Sequence, residues 1–373
     1  MANLSSTVIA QALGDQRKQR LLLLISLYLI GALVIYFYIY DILVLTILAL
    51  TFWYAYDHIK AYTRDCLDPQ GKYVYITGCD SGFGLEAAKA IRDLGFGVIA
   101  GCLDDNSPGA IELKARPWVK KIEVVILDVS NEASVLACAR EVKDICRDQG
   151  SLWAVINNAG INCMGPAELV TMEMFHRCAE VNLFGAIRVI KSVLPLIRQA
   201  EGLIVNVTSE RGFNPWKDSS PYCATKFGLE AFSACLRREM EVFKVKVITV
   251  APGEFAGATS IAKQKMNEQL IEKLLQSRSA LSLQEQQEAY TKESVTDISA
   301  RIEAAVKKSC SSCEPVVSVY IDAVLNADPK RCYLIHGFKR QCLDPLIILA
   351  RCRPFIPEKV VHVVEKILFS ILG

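Results

Sequence analysis

The chain has 373 residues, of which 52% are apolar, and it carries 42 basic against 40 acidic side chains. A net charge of +2 offers no field for a polyanion, so nucleic acid is not an expected partner. A mean hydropathy of +0.26 directs attention to a membrane segment, and the length allows one to three domains around a large core. The 14 cysteines are scattered and mostly lie inside apolar segments, which suits reduced thiols facing a cytosol. Cys310 and Cys313 form a lone CxxC without the second ligand pair that a zinc site needs, so no metal is expected.

Residues 1–20 are polar and end in Arg17-Lys18-Gln19-Arg20. From Leu21 to Tyr40 there is no charge, a run long enough to span a bilayer. Asp41 interrupts it, and a second apolar stretch runs from Ile42 to Tyr56. A signal peptide has an apolar region of only about 7–15 residues and a small-residue cleavage site, whereas this run is longer and aromatic. Residues 21–56 are therefore expected to be a transmembrane anchor, as one helix or as a hairpin turning near Asp41. Basic residues stand on both sides (Arg17, Lys18 and Arg20 before, Lys60 and Arg64 after), so charge bias does not orient it.

After a polar linker, 57–71, strands alternate with helices. Apolar strands are predicted at Tyr73–Thr77, Gly97–Cys102, Glu123–Asp128, Trp153–Asn157, Leu203–Thr208 and Lys246–Ala251. Helical periodicity falls at Gly84–Leu94, Asn131–Gln149, Glu173–Gln199 and Ser220–Val242. Continuous apolar strands in βαβ alternation predict an α/β fold of the Rossmann type, a doubly wound parallel sheet over 72–340, with ligands beyond the strands' carboxyl ends. Residues 260–314 are charged and glutamine-rich and read as helices. The apolar end, 341–373, includes a helical pattern from Val360 to Leu372. That helix would be a lid over an apolar substrate, a membrane-lying helix, or a helix packed on the core.

Three places carry chemistry. Thr77-Gly78-Cys79-Asp80-Ser81-Gly82-Phe83-Gly84 follows a strand and opens a helix, so its glycines would admit a pyrophosphate to the helix N-terminus. Gly101-Cys102-Leu103-Asp104-Asp105, at the end of the second strand, has no Arg or Lys for a 2′-phosphate, and its two carboxylates would repel one. NAD is therefore favoured over NADP. Asp128, ending the third strand, would accept from an adenine amino group. Asn157-Asn158-Ala159-Gly160 would bring backbone close to the cofactor, or be an ordinary turn. The third place is Asn206–Gly228. Ser209 ends an apolar strand, Ser219 and Ser220 are N-cap types, and Pro221 suits a first helical position. Tyr222 and Lys226 would share one helix face a turn apart, where the lysine and the helix dipole favour phenolate over phenol.

Together these stretches resemble the short-chain dehydrogenase/reductase family from about residue 70 to 340. The resemblance rests on the Thr77–Gly84 turn, Asn157–Gly160, the Ser209, Tyr222 and Lys226 spacing, and Pro252-Gly253, all in the family's order. It implies a catalytic tetrad of Asn182, Ser209, Tyr222 and Lys226. It also implies cofactor contacts at Thr77, Gly78, Ser81, Gly82, Phe83, Gly84, Asp128, Asn158, Ala159, Gly160, Tyr222, Lys226, Pro252 and Gly253. Finer details are similar to the branch of retinol dehydrogenases, oxidising 17β-hydroxysteroid dehydrogenases and 3-hydroxybutyrate dehydrogenase. Two features depart from it. Glu210-Arg211 puts charge beside the catalytic serine, and Thr259 is displaced from the family's threonine after Pro252-Gly253.

The resemblance implies hydride transfer between a carbinol carbon and NAD, with Tyr222 as base. A membrane anchor and an apolar tail suit a lipophilic alcohol such as a steroid or retinoid, in the endoplasmic reticulum or, alternatively, a mitochondrial membrane. A small hydroxy acid is the alternative substrate, and a catalytically silent membrane scaffold the alternative of another class. A homodimer through the helix of Tyr222 and Lys226 and its neighbour is also implied.

Overall fold

A computed structural model describes residues 2–62, 66–115, 122–261, 264–279, 290–337, 360, 363 and 364. The chain divides into two compact units at Asp65. The expected C-terminal helix, Val360–Leu372, and most of the 341–373 segment lie outside the described residues.

The first unit holds one helix, α1 (Ala2–Tyr62), which passes through Asp41 without a turn. Between 21 and 56 there is one glycine, Gly31, and no proline, so nothing local breaks the hydrogen-bond ladder there. Its stretch Arg20–Ala49 is long and apolar enough to cross a membrane by length and composition. Leu, Ile, Tyr and Phe side chains along Leu21–Leu48 are exposed, including Tyr28, Tyr36 and Tyr38. A helix that is apolar all round has no water-facing side.

The second unit is built on seven parallel strands in the order β3-β2-β1-β4-β5-β6-β7. They are β1 (Lys72–Thr77), β2 (Gly97–Cys102), β3 (Ile122–Ile126), β4 (Ser151–Asn157), β5 (Leu203–Val207), β6 (Lys246–Pro252) and β7 (Cys332–Ile335). Central strands covered on both faces read as mostly apolar runs, and β1, β2, β4, β5 and β6 are buried along nearly their whole length. The order steps outward on either side of β1 and β4, which leaves a crevice between their carboxyl ends.

One face carries α2 (Gly82–Asp93), α3 (Pro108–Ala115) and α10 (Glu314–Leu325), packed through Leu85, Ile91, Leu113, Val316 and Tyr320. The other carries α4 (Glu132–Gln149), α6 (Ala186–Gln199) and α7 (Ser220–Met240), packed through Val135, Val142, Val189, Val193 and Leu236. The predicted helix Glu173–Gln199 is in fact α5 (Met172–Ala179), a π-turn over Glu180–Gly185 and then α6. Thr171 starts it, accepting from the N–H of Met174 at 3.3 Å. Beyond β6, α8 (Gln264–Ser279) and α9 (Lys292–Lys308) join α5 in a smaller apolar cluster around Leu169, Leu274, Val295 and Ile298. β7 and α3 were not anticipated: each is short and has no clean period.

Candidate active site

The crevice opens into a cavity of about 620 Å³ that runs from the glycine turn to Ser209 and Tyr222. At its nucleotide end the glycines are sterically required. A Cβ on Gly84 would stand 2.2 Å from the Gly78 carbonyl oxygen and 2.7 Å from Asn158 Nδ2. Gly78 has φ +73° and would bring a Cβ to 2.9 Å from Ala159 Cα. The turn thus leaves an open cradle at the start of α2, where Ser81 is the N-cap and does not spend its hydroxyl on the helix. Backbone N–H groups at that end, and the bare glycines, fit a dinucleotide pyrophosphate.

The loop after β4 is locked to this turn by Thr77. Its Oγ1 accepts from the N–H groups of Asn158 (3.1 Å) and Ala159 (3.0 Å). Asn158 Nδ2 donates back to the carbonyls of Thr77 (2.9 Å) and Gly78 (3.2 Å), and its Oδ1 accepts from Tyr320 at 3.2 Å. Asp80 accepts from the N–H groups of Leu103 (3.0 Å) and Asp104 (3.2 Å), so a carboxylate sits at the end of β2. Lys114, in the last turn of α3, pairs with Asp105. Asp128 lines the cavity while accepting from Ser130 Oγ at 2.6 Å.

Asn182 lies in the π-turn, where the extra residue re-aims it across to the β4 loop. Its Oδ1 accepts from the N–H of Ile161 (2.8 Å), and its Nδ2 donates to the Ile161 carbonyl (2.9 Å). Asn182 also reaches Thr225 on α7 at 3.3 Å. Gly160 sits between this group and the lysine: a Cβ there would be 3.4 Å from Asn182 Oδ1 and 3.8 Å from Lys226 Nζ.

Ser209 follows β5 and starts a short 3-10 turn, Glu210–Gly212, accepting from the Arg211 N–H at 3.2 Å. Ser219 is the N-cap of α7 and Pro221 stands in its first turn, but no hydroxyl caps the helix. Tyr222, in that turn, lines the cavity with Ser209, whose hydroxyl also reaches the Pro252 carbonyl at 3.5 Å. Lys226 Nζ lies 5.5 Å from the Tyr222 ring centre and donates to the Val207 carbonyl at 2.9 Å. Burial raises the phenol above its ordinary value, and this outweighs the lowering by the Ser209 hydroxyl and the Arg211 charge. Burial also brings the Lys226 ammonium down to about 8. With protein groups alone, the pair therefore favours neutral Tyr222.

The structure thus brings Ser209, Tyr222 and Lys226 onto one wall, together with Gly78, Ser81, Gly82, Phe83, Asp128, Asn158, Ala159, Gly160, Pro252 and Gly253. Thr77, Gly84 and Asn182 stand behind that wall and hold it. Thr259 lines the cavity as well, with its Cγ2 3.4 Å from where a Gly82 Cβ would be. A donor, an acceptor and a cation beside an open cradle can move a proton to or from a bound hydroxyl.

Several supporting contacts were not read from the sequence. Asn157 and Asn206 face each other in register near the ends of neighbouring strands; Asn157 Nδ2 donates to Asn206 Oδ1 (2.9 Å), and Asn206 donates to Ser233 on α7 (2.8 Å). That buried ladder sets α7 against the sheet, and asparagines near the ends of two adjacent strands were its one visible trace. Arg211 lies 3.4 Å over the Trp216 ring and 3.3 Å from Glu254, and so forms one side of the mouth. Met164, Ile298 and Ile302 supply its apolar part.

Parallel sheet, glycine cradle and tyrosine–lysine helix define a dinucleotide-fold protein with an acid–base centre. The chain belongs to the short chain dehydrogenase family, whose sequence model matches residues 72–270. It is 41% identical to rat mitochondrial D-beta-hydroxybutyrate dehydrogenase over 221 residues, which are 58% of this chain and 64% of that enzyme. The chain therefore spans just under two thirds of that relative. Human retinol dehydrogenase 16 is 37% identical over 282 residues, covering 75% of this chain and 84% of that enzyme. Mouse estradiol 17-beta-dehydrogenase 2 is 39% identical over 199 residues, 53% and 52% of the two chains. A short chain dehydrogenase/reductase from Burkholderia phymatum, solved in complex with NAD, shares the fold at TM-score 0.58 and 21% identity, covering 72% of this chain and 90% of that one.

Proposed function

We propose that this chain is a membrane-anchored oxidoreductase that interconverts a hydroxyl and a carbonyl on a lipophilic alcohol of the steroid or retinoid kind, with NAD as cofactor. The observation that carries the reading is a cavity lined both by the glycine cradle and by Ser209 and Tyr222, with Met164, Ile298 and Ile302 also in its lining. Retinol dehydrogenase 16 and estradiol 17-beta-dehydrogenase 2 among the relatives support the substrate class. The carboxylate of Asp80 at the end of β2, and the pairing of Lys114 with Asp105, support NAD over NADP, because a 2′-phosphate would meet negative charge. The exposed apolar helix α1 supports anchoring, in the endoplasmic reticulum or a mitochondrial membrane.

Bound nicotinamide would supply the hydride acceptor. Tyr222 takes the hydroxyl proton, and Ser209 donates to the substrate oxygen as charge builds there. Lys226 in its ammonium form stabilises the phenolate and holds the ribose hydroxyls. Asn182, already bonded to both polar groups of Ile161, fixes the cofactor-side loop and orders the route by which the proton leaves.

A small hydroxy acid is the second reading, favoured by the match to D-beta-hydroxybutyrate dehydrogenase and by the Arg211 cation at the mouth. The test is a panel of retinols, sterols and 3-hydroxybutyrate, each with NAD and with NADP, followed by NADH or NADPH absorbance. Turnover of hydroxybutyrate alone overturns the lipophilic reading. Absence of NADH binding by fluorescence titration overturns catalysis and leaves a membrane scaffold.

A further inference from the structure

The Arg211 cation favours a hydroxy acid only if it offers that acid an open N–H edge, so its partners decide what the mouth admits. Arg211 is buried and lines the cavity together with Ser209 and Tyr222. One face of its guanidinium lies on the Trp216 ring, with Cζ 3.4 Å from the ring centre. Nη2 donates to Glu254 Oε2 at 3.3 Å, Nε stands 3.9 Å from Glu210 Oε1, and Nη1 is sealed from solvent. A guanidinium recognises a carboxylate through two parallel N–H groups, taken from Nε and Nη2 or from the two Nη atoms. Both of those edges use Nη2, the nitrogen that Glu254 already engages.

Glu254 is held in place for this contact. Its Oε1 accepts from the Ala256 N–H at 3.4 Å, and its backbone carbonyl accepts from the Cys310 N–H at 3.2 Å. The loop after β6 therefore carries the carboxylate to the guanidinium, and Glu254 lines the cavity itself. A substrate carboxylate reaching for Arg211 must displace Glu254 and then lie beside a like charge, which disfavours it. The other cations of the lining do not replace Arg211. Lys226 donates to the Val207 carbonyl at 2.9 Å, and Arg301 pairs with Asp218 at 2.9 Å. Arg177 and Lys217 are exposed, where water and salt screen their charge.

We propose that Glu254 is a specificity-determining residue: by holding Arg211 against Trp216 it closes the mouth to carboxylates and leaves a flat, charge-balanced wall for a neutral alcohol. The proposal rests on the oxidoreductase reading and narrows its substrate class to uncharged alcohols. A pair that merely braced the loop after β6 would affect stability without changing the choice between a charged and a neutral substrate.

The test uses the full chain in detergent micelles and two alcohols that differ in charge, 3-hydroxybutyrate and its methyl ester, with kcat/KM read from NADH formation. Wild type should prefer the ester. Glu254→Gln keeps the shape and releases Nη2, so kcat/KM for the acid relative to the ester should rise about tenfold or more, chiefly through KM. The double variant Arg211→Met with Glu254→Gln removes the pair whole and should keep the wild-type ratio within about threefold. A wild type that prefers the acid, or an unchanged ratio in Glu254→Gln, overturns the proposal, whatever happens to the melting temperature. If Glu254→Gln does not fold, the double variant decides: an acid-to-ester ratio that falls about tenfold means that Arg211 was holding the acid, and overturns it equally. Where these short alcohols do not turn over, the charged and neutral pair is retinoic acid and retinol, read as binding by quenching of tryptophan fluorescence with NADH present, and the same ratios decide. Should wild type oxidise no alcohol of the panel, the oxidoreductase reading fails by itself, and that binding ratio still decides whether Glu254 keeps carboxylates out.

Discussion

Replacing Thr77 by Val removes one oxygen and preserves the shape of a side chain that is 1% exposed. That oxygen accepts from two backbone donors, Asn158 N–H at 3.1 Å and Ala159 N–H at 3.0 Å. Valine leaves both without a partner in a place water does not reach, at about 1–3 kcal/mol each, so the fold should lose about 2–6 kcal/mol. For a domain of this size each kcal/mol is worth about 2–4 °C, which predicts a fall in melting temperature of about 4–24 °C by circular dichroism in detergent. The same two donors fix the loop that carries Asn158, Ala159 and Gly160 into the cavity, so NADH affinity should fall about tenfold or more, equivalent to about 1.4 kcal/mol. Thr77→Ser restores the oxygen and should recover most of both losses. A Thr77→Val protein that melts within 1 °C of wild type and binds NADH equally would refute the argument that this hydroxyl ties β1 to the β4 loop.

Gly84→Ala places a methyl 2.2 Å from the Gly78 carbonyl, so the turn must shift; NADH binding should weaken at least tenfold, and unchanged affinity would mean the cradle tolerates a side chain. Tyr222→Phe should abolish turnover, measured by NADH formation, while leaving NAD affinity within a few-fold; wild-type turnover would remove Tyr222 from the acid–base role. The Lys226 ammonium, held at about 8 against an ordinary value of 10.5, predicts a stability signature. Between these values the unfolded chain binds a proton that the folded chain does not, so wild-type stability gains as pH rises through that window. Thermal melts of Lys226→Met against wild type should therefore show the variant's relative stability greatest below pH 8 and declining toward pH 10. A difference that does not vary with pH would contradict the burial argument.

The strands were legible because buried parallel strands must be apolar on both faces, and Gly97–Cys102 fell where expected to the residue. The glycine turn was legible for a different reason: at Gly78 and Gly84 no side chain fits, so composition reports geometry directly. The long helix expected over Glu173–Gln199 shows the limit. Periodicity sees the apolar face but not the π-turn at Glu180–Gly185, because one inserted residue barely alters the pattern while it re-aims Asn182. β7 and α3 escaped similarly: a four-residue strand and an eight-residue helix owe their places to what they pack against.

By itself the sequence determined the local chemistry: which turn could accept a pyrophosphate, which tyrosine stands one helical turn from a lysine, and which segment water cannot solvate. Those properties depend on residues close together in the chain. Tertiary structure alone decided the charge states and the supports. Burial, not the neighbouring lysine, dominates Tyr222, and the side chains that steady the centre (Thr77 on the β4 loop, Asn206 on Ser233) are brought there by strands and helices far apart in sequence. Desolvation and contact depend on everything that surrounds a group, and only the folded chain assembles that surrounding.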